Sequence, residues 1–267
     1  MNLPDIIQLS KKNQYWTFLF LLFFLALFMM FCNGFSSDYS GFDFFFHYRR
    51  LHALTEAFKL GIYPSYLDFS NAEGYGYFSN GFYPDVILIP FALIGIFTGT
   101  FFAYDFMIFT MTILCGVFMY QTIKVICKDS YAATIGALMY TFAVYRLYDI
   151  YQRGAIAEAI SFTFLPLFFL GLYYIVKGDY KNKWYILAIG YSLLIYTHTI
   201  SSVLMFLVLM ILLIINYKSL VSEPKRILYL LIAGAVTFVI ASFFIFPTLE
   251  QLNSNSFYLD SRSPGGG

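Results

Sequence analysis

The chain has 267 residues, of which 60% are hydrophobic and 12% charged, with a net charge of +1. That share of charge is about half of what a soluble domain carries, and the near-neutral balance gives nucleic acid nothing to bind. Several apolar runs reach the roughly 20 residues a helix needs to cross a bilayer, so the composition is that of an all-α polytopic protein, multi-pass in the cell membrane.

Residues 1–14 are polar and carry Lys11 and Lys12 just before the first apolar run, Tyr15 to Cys32. The run is long, rich in Phe and Leu and without a small-x-small cleavage site, so it reads as an anchor and not a signal peptide. Basic flanks stay inside, which places the N-terminus in the cytoplasm and the next segment, residues 34–84, outside. Eight of the 31 charged side chains fall in that loop: Asp38, Asp43, Arg49, Arg50, Glu56, Lys59, Asp68 and Glu73.

Within the loop, Asp43 to Leu60 predicts an amphipathic helix. Phe46, Leu51, Leu54, Phe58 and Leu60 form its apolar stripe, and Gly61 stops it. Asp43, His47 and Arg50 share the opposite face at spacings of four and three, which suits a helix lying along the membrane surface. The Gly-, Tyr-, Asn- and Pro-rich stretch that follows is full of turn residues.

Residues 85–99 hold an apolar run, Val86 to Thr98, too short for a span. The later runs are Phe102–Ile126, Tyr131–Tyr148, Ala155–Val176, Trp184–Thr199, Ser202–Ile215 and Arg226–Phe246. Three junctions between them are basic: Lys124 with Lys128; Lys177, Lys181 and Lys183; and Lys218, Lys225 and Arg226. They alternate with junctions near Arg153 and His198. All basic junctions stay inside only if residues 85–99 do not span, which gives about seven transmembrane helices in residues 15–246. Residues 247–267 form a polar external tail whose SPGGG close is that of a truncated or an ended chain.

The three cysteines, Cys32, Cys115 and Cys127, are too few and too scattered for a disulfide framework. Phosphate-loop, GxSxG, Cys-x-x-Cys and HEXXH patterns are absent. Three polar groups remain. Asp43, His47 and Arg50 supply a carboxylate that can act as a base or hold a metal or substrate, with partners suited to a phosphate, or else a solvated helix face. Arg146, Asp149, Arg153 and Glu158 are costly beside hydrocarbon and predict a polar cavity or an internal pair. His198, in THTISS, is either a hydrogen-bonded structural residue or a third contributor on the same membrane side.

The strings GFDFFFHYRR, GIYP, GYGY and FYP, followed by YRLYDIYQRGAIAEA, FLPL and THTISS, resemble bacterial membrane proteins labelled 6-pyruvoyl-tetrahydropterin-synthase-related. These in turn look like members of the GT-C glycosyltransferase superfamily. His47, His52 and His198 do not reproduce the zinc-binding spacing of a pterin synthase, and Asp85 stands where a second proline is expected.

The resemblance implies a GT-C-like seven-helix module that transfers a sugar from a polyprenyl-phosphate donor to an extracytoplasmic glycan or lipid acceptor. Asp43 is then the catalytic carboxylate. Arg153 meets the donor phosphate, and His47, Arg50, Glu158 and His198 surround the substrate. No metal ligand set is implied; a divalent metal is left open. A non-catalytic transporter or flippase, or a scaffold for envelope glycan assembly, is the alternative. It would need polar groups through the depth of several helices, or none that matter chemically.

Overall fold

The first crossing forms as expected: α1 (Leu3–Asn33) contains an apolar stretch, Asn13–Cys32, long enough to span. The computed structural model describes residues 3–33, 41–65, 67, 68, 76 and 78–254. Expectations for 34–40, 66, 69–75, 77 and the tail beyond 254 lie outside the described residues, among which every regular element is helical. Cys32, Cys115 and Cys127 are free thiols.

Two short elements, α2 (Phe44–Lys59) and the single turn α3 (Ser79–Phe82), lead into α4 (Ile89–Thr98) and then α5 (Thr100–Cys127). Next come α6 (Ser130–Thr141), α7 (Val144–Tyr148), a π-helical turn (Asp149–Arg153) and α8 (Ile156–Val176). The chain continues through α9 (Tyr180–Lys183), α10 (Tyr185–Ile195), α11 (Thr199–Ile215), α12 (Tyr217–Ser222) and α13 (Lys225–Ser254).

Four helices are long and apolar enough to cross a membrane: those in α1, α5 and α8, and Lys225–Asn253 of α13. The other expected crossings are shorter. Tyr131–Tyr148 is interrupted after Thr141, giving α6 and α7, and α10 and α11 have 11 and 17 residues. At 1.5 Å per residue α10 reaches only about 16 Å, half the thickness of the hydrocarbon core. The ten residues of α4 are shorter still, in keeping with a segment that does not span.

Helix α8 is the central post, with 67% of its apolar window buried against 22% for α13. Two glycines let α10 press against it. A Cβ on Gly171 would meet the Leu187 amide nitrogen at 2.2 Å, and one on Gly190 would meet that of Phe168 at 2.7 Å. Such small-residue contacts replace the hydrophobic force that helices lack in lipid. Pro166 interrupts α8 and, having no N–H, frees the carbonyl four residues back. Tyr140 of α6 donates to that carbonyl, Phe162 O, at 2.9 Å, and Cys115 of α5 lies on it at 3.7 Å. The freed group is therefore satisfied by neighbouring helices, as a bilayer requires.

The bundle has two chemically different ends. At one, Arg226 donates to Ile175 O and Gly178 O, Ser219 to Val176 O and Tyr180 to Glu223. The junction with Lys177, Lys181 and Lys183 is thus joined to the one with Lys218, Lys225 and Arg226. At the other end Tyr151 Oη donates to Met29 O, closing the end of α1 onto the π-turn, and Thr248 of α13 donates to Gly81 O of α3.

The amphipathic helix has the expected limits, with Asp43 and Leu60 as caps and Gly61 at φ 71° just beyond. Its faces differ from expectation. His47 and Arg50 are buried together with Phe44, Leu51 and Leu54, whereas Leu60 is exposed. The His47 and Arg50 side of the helix is turned into the protein, packed over α4 and α5, while Asp43 at its start stays exposed.

Candidate functional site

The site begins with a close approach of two backbones. Gly41, Phe42 and Asp43 turn into α2, and they lie directly on Arg153 and Gly154 at the end of the π-turn. The Asp43 amide donates to Arg153 O at 2.8 Å. A Cβ on Gly41 would meet Gly154 N at 2.6 Å, and one on Gly154 would meet Phe44 N at 2.5 Å. Gly154 also stands at φ 69°, a left-handed conformation that glycine adopts without the Cβ penalty. The two glycines therefore hold the backbone at the start of α2 against the backbone that carries Arg153.

Arg153 is fixed by acid on two sides. Its Nη1 donates to Asp149 Oδ1 at 2.7 Å and Glu158 Oε2 at 3.1 Å, and to Tyr145 Oη at 3.2 Å. Tyr145 in turn donates to Glu158 Oε1 at 2.8 Å. All three contacts use one nitrogen, so the Nε–Nη2 edge of this partly exposed guanidinium has no partner among the described residues. Such an edge is the one that takes phosphate or carboxylate oxygens in pairs.

Asp149 has no exposed surface and its Oδ2 has no hydrogen-bond partner. Burial, then the neighbouring Glu158 charge, pushes its carboxyl up to about 6, against the pull of Arg153. It lies past Tyr148, at the rim of the bundle, in a π-turn of a kind that often marks functional sites. Asp43 is exposed, and its carboxylate has no partner among the described residues.

The remaining expected residues divide. His198 caps α11 and pairs through Nδ1 with Ser201 Oγ at 2.8 Å. Ser161, which donates to Glu158 O at 2.7 Å, lies 3.5 Å from the same Ser201 hydroxyl. The first turns of α8 and α11 are thereby joined, and His198 lies within electrostatic range of Glu158, Arg153 and His47. His47 is held down to about 3 by burial, then by the charges of Arg50 and His198, so it is neutral at any physiological pH.

Arg50 is a clamp. Its Nη2 donates to Tyr83 O at 3.1 Å and Pro84 O at 2.8 Å, Nη1 meets His47 Nδ1 at 3.3 Å, and the guanidinium lies 5.1 Å from the Tyr83 ring centre. It fastens the Phe-Tyr-Pro corner to α2, beside a narrow cleft lined by Ile87, Ile156, Ile160 and Tyr196. Burial lowers its pKa to about 10, offset in part by Asp85, whose own carboxyl burial raises.

Sequence reasoning therefore brought Asp43, Arg153, Glu158 and His198 to one end of the bundle. It did not include Asp149 or Tyr145 among the site residues. The signal was present in the spacing, since Asp149 precedes Arg153 by one helical turn in an apolar context. Among the described residues no group of three or more His, Cys, Asp or Glu is arranged to hold a metal ion.

Residues 82–261 match a family model described as 6-pyruvoyl-tetrahydropterin synthase related domain, membrane protein. The match takes in Asp149, Arg153, Glu158 and His198 and begins after α2. The chain is also 24% identical over 257 residues to an uncharacterized protein of Lactococcus lactis subsp. cremoris (strain MG1363). The alignment covers 91% of this chain and 41% of the length of that relative. No solved structure matches.

Proposed function

The chain belongs to the membrane-protein family of the 6-pyruvoyl-tetrahydropterin synthase related domain, and from that premise we propose that it is a membrane glycosyltransferase of GT-C type. It moves a sugar from a polyprenyl-phosphate donor to an extracytoplasmic glycan or lipid acceptor. The observation that carries this reading is the open Nε–Nη2 edge of Arg153, whose backbone carbonyl holds the amide of the exposed Asp43, at the end of the bundle away from the joined basic junctions. With the basic end in the cytoplasm, the site faces out.

The chemistry needs two groups. Asp43 takes the proton of an acceptor hydroxyl as that oxygen attacks the anomeric carbon. The bond from that carbon to the phosphate oxygen breaks, its electron pair leaves with the polyprenyl phosphate, and Arg153 meets the charge that develops there. Glu158 and Asp149 hold the guanidinium in place, and His198 lines the acceptor side.

The test compares envelope glycans by mass spectrometry in cells carrying wild type, Asp43→Asn or no copy, at matched protein levels. Loss of one defined sugar in both altered strains is the expected result. A glycan change in the deletion that Asp43→Asn leaves intact would remove Asp43 from the chemistry and favour a transporter or scaffold.

A further inference from the structure

One guanidinium here serves two carboxylates. With Asp149 and Glu158 both ionised, the cluster around Arg153 carries a net charge of −1. The groups that face Asp149 are Arg153 on its own turn, Tyr145 from α7 and Glu158 from α8. His198 at the start of α11 reaches Glu158 and Arg153, and Asp43 arrives with α2 through the Arg153 carbonyl. Arg146, one turn earlier, is directed elsewhere, to Thr141 O and Thr112 Oγ1.

A lipid phosphate that docks on the open edge of Arg153 adds a second uncompensated negative charge. Glu158 is partly exposed and can keep its charge with the help of water and Tyr145 Oη. Asp149 cannot: its Oδ2 is buried and has no partner. An ionised oxygen without a partner is the costliest group in such a cluster, and protonation is the cheapest relief.

We infer that binding of a phosphate anion at Arg153 is coupled to the uptake of one proton by Asp149. The inference rests on the donor reading above. The proton comes from solvent and goes to Oδ2, while Oδ1 keeps its bond to Arg153. The cluster passes from −1 to neutral as the anion arrives, and the proton is given back when the phosphate leaves. Tyr145, half exposed and bonded to both Glu158 and Arg153, is the polar route to water. Because burial already raises this carboxyl to about 6, the proton is within reach at neutral pH.

The probe is citronellyl methyl phosphate, a prenyl phosphodiester whose single charge is constant in this range. It is titrated onto the chain in lipid nanodiscs. Linkage of one proton makes the wild-type affinity fall by up to about tenfold per pH unit above the free-state value of roughly 6. Calorimetry at about pH 7.5 in two buffers of different ionisation enthalpy should count close to one proton taken up per probe bound.

Asp149→Asn should bind with an affinity that does not change between roughly pH 5.5 and 7.5 and should take up no proton. A wild type that binds without proton uptake overturns the inference. So does an Asp149→Asn chain that keeps the wild-type slope, above all if Glu158→Gln abolishes it. If Asp149→Asn does not fold, the proton counts on wild type and on Glu158→Gln decide: uptake that persists in both supports Asp149, and uptake absent from wild type or lost in Glu158→Gln overturns the inference. No binding to wild type at any pH sinks the lipid-phosphate reading itself, and this inference with it.

Discussion

Three alanine substitutions separate what the joint between α2 and the π-turn contributes. Gly61→Ala places a Cβ in a left-handed residue, φ 71°, with nothing within 4 Å, so it carries conformational strain alone, about 1–2 kcal/mol. Gly41→Ala has no such strain, but its Cβ would lie 2.6 Å from Gly154 N and 2.7 Å from Arg153 C. Both are backbone atoms, so the two segments must move apart by close to 1 Å to reach ordinary contact. Overpacking of this kind costs about 1–3 kcal/mol.

Gly154→Ala combines both penalties, φ 69° and a Cβ 2.5 Å from Phe44 N, and should lose about 2–5 kcal/mol. It should also break the 2.8 Å bond from Asp43 N to Arg153 O. A displacement of about 1 Å at a reacting centre can cost on the order of a hundredfold in rate. The expected pattern in detergent unfolding curves is therefore Gly154→Ala worst. Glycan transfer should be lost in Gly41→Ala and Gly154→Ala and kept in Gly61→Ala. Equal stability of Gly61→Ala and Gly154→Ala would refute the reasoning, because it would mean that the two backbones are not in contact.

Other predictions follow from the same geometry. Arg50→Lys gives up the forked contact to Tyr83 O and Pro84 O and should cost about 2–3 kcal/mol, with residues 78–85 becoming cleavable in limited proteolysis. His47 is neutral in the folded chain, its pKa depressed to about 3, whereas the unfolded chain takes up that proton near 6.5. Its contribution is complete above that value and is lost on acidification toward the folded value, by about 1.4 kcal/mol per pH unit. Melting curves between neutral and mildly acid pH should show a shallower loss in His47→Gln, and an unchanged slope would count against burial as the cause. In the helix packing, Gly171→Ala meets the Leu187 backbone and should be destabilising by at least about 1–3 kcal/mol. Gly234→Ala, in α13 with nothing within 4 Å, should be neutral or stabilising by up to about 1 kcal/mol. The two unfolding midpoints check both signs.

Much of this was legible in the residues, and the exceptions have physical reasons. The ends of α2 follow from a 3.6-residue stripe closed by Gly61, and the two ends of the bundle follow from where Lys and Arg collect. What period cannot give is the medium that a face meets. Asp43, His47 and Arg50 do share one side of α2, but Arg50 is stacked against Tyr83 and buried, because a distant Phe-Tyr-Pro corner supplies the hydrogen-bond acceptors that water would otherwise supply. The break between α6 and α7 has neither Gly nor Pro to announce it. It is stabilised by Arg146, whose Nη1 takes the Thr141 carbonyl at 3.0 Å, a tertiary contact without a local signature. Asp149 was visible as a costly charge, but its role depends on a carboxylate nine residues later on another helix.

The bond between Asp43 and Arg153 joins residues 110 positions apart in the sequence, which bears on the order in which the protein is made. Helices α1 and α2 are synthesised and delivered to the membrane well before the π-turn exists. Until Gly154 emerges, the Asp43 amide and the backbone around Gly41 have no counterpart and must be hydrated. The site is therefore assembled late, by closure of the α8 region onto a segment already waiting at the membrane surface. A ribosome stalled ahead of Gly154 would hold a chain that has α1 and α2 but not the backbone on which Asp43 comes to rest.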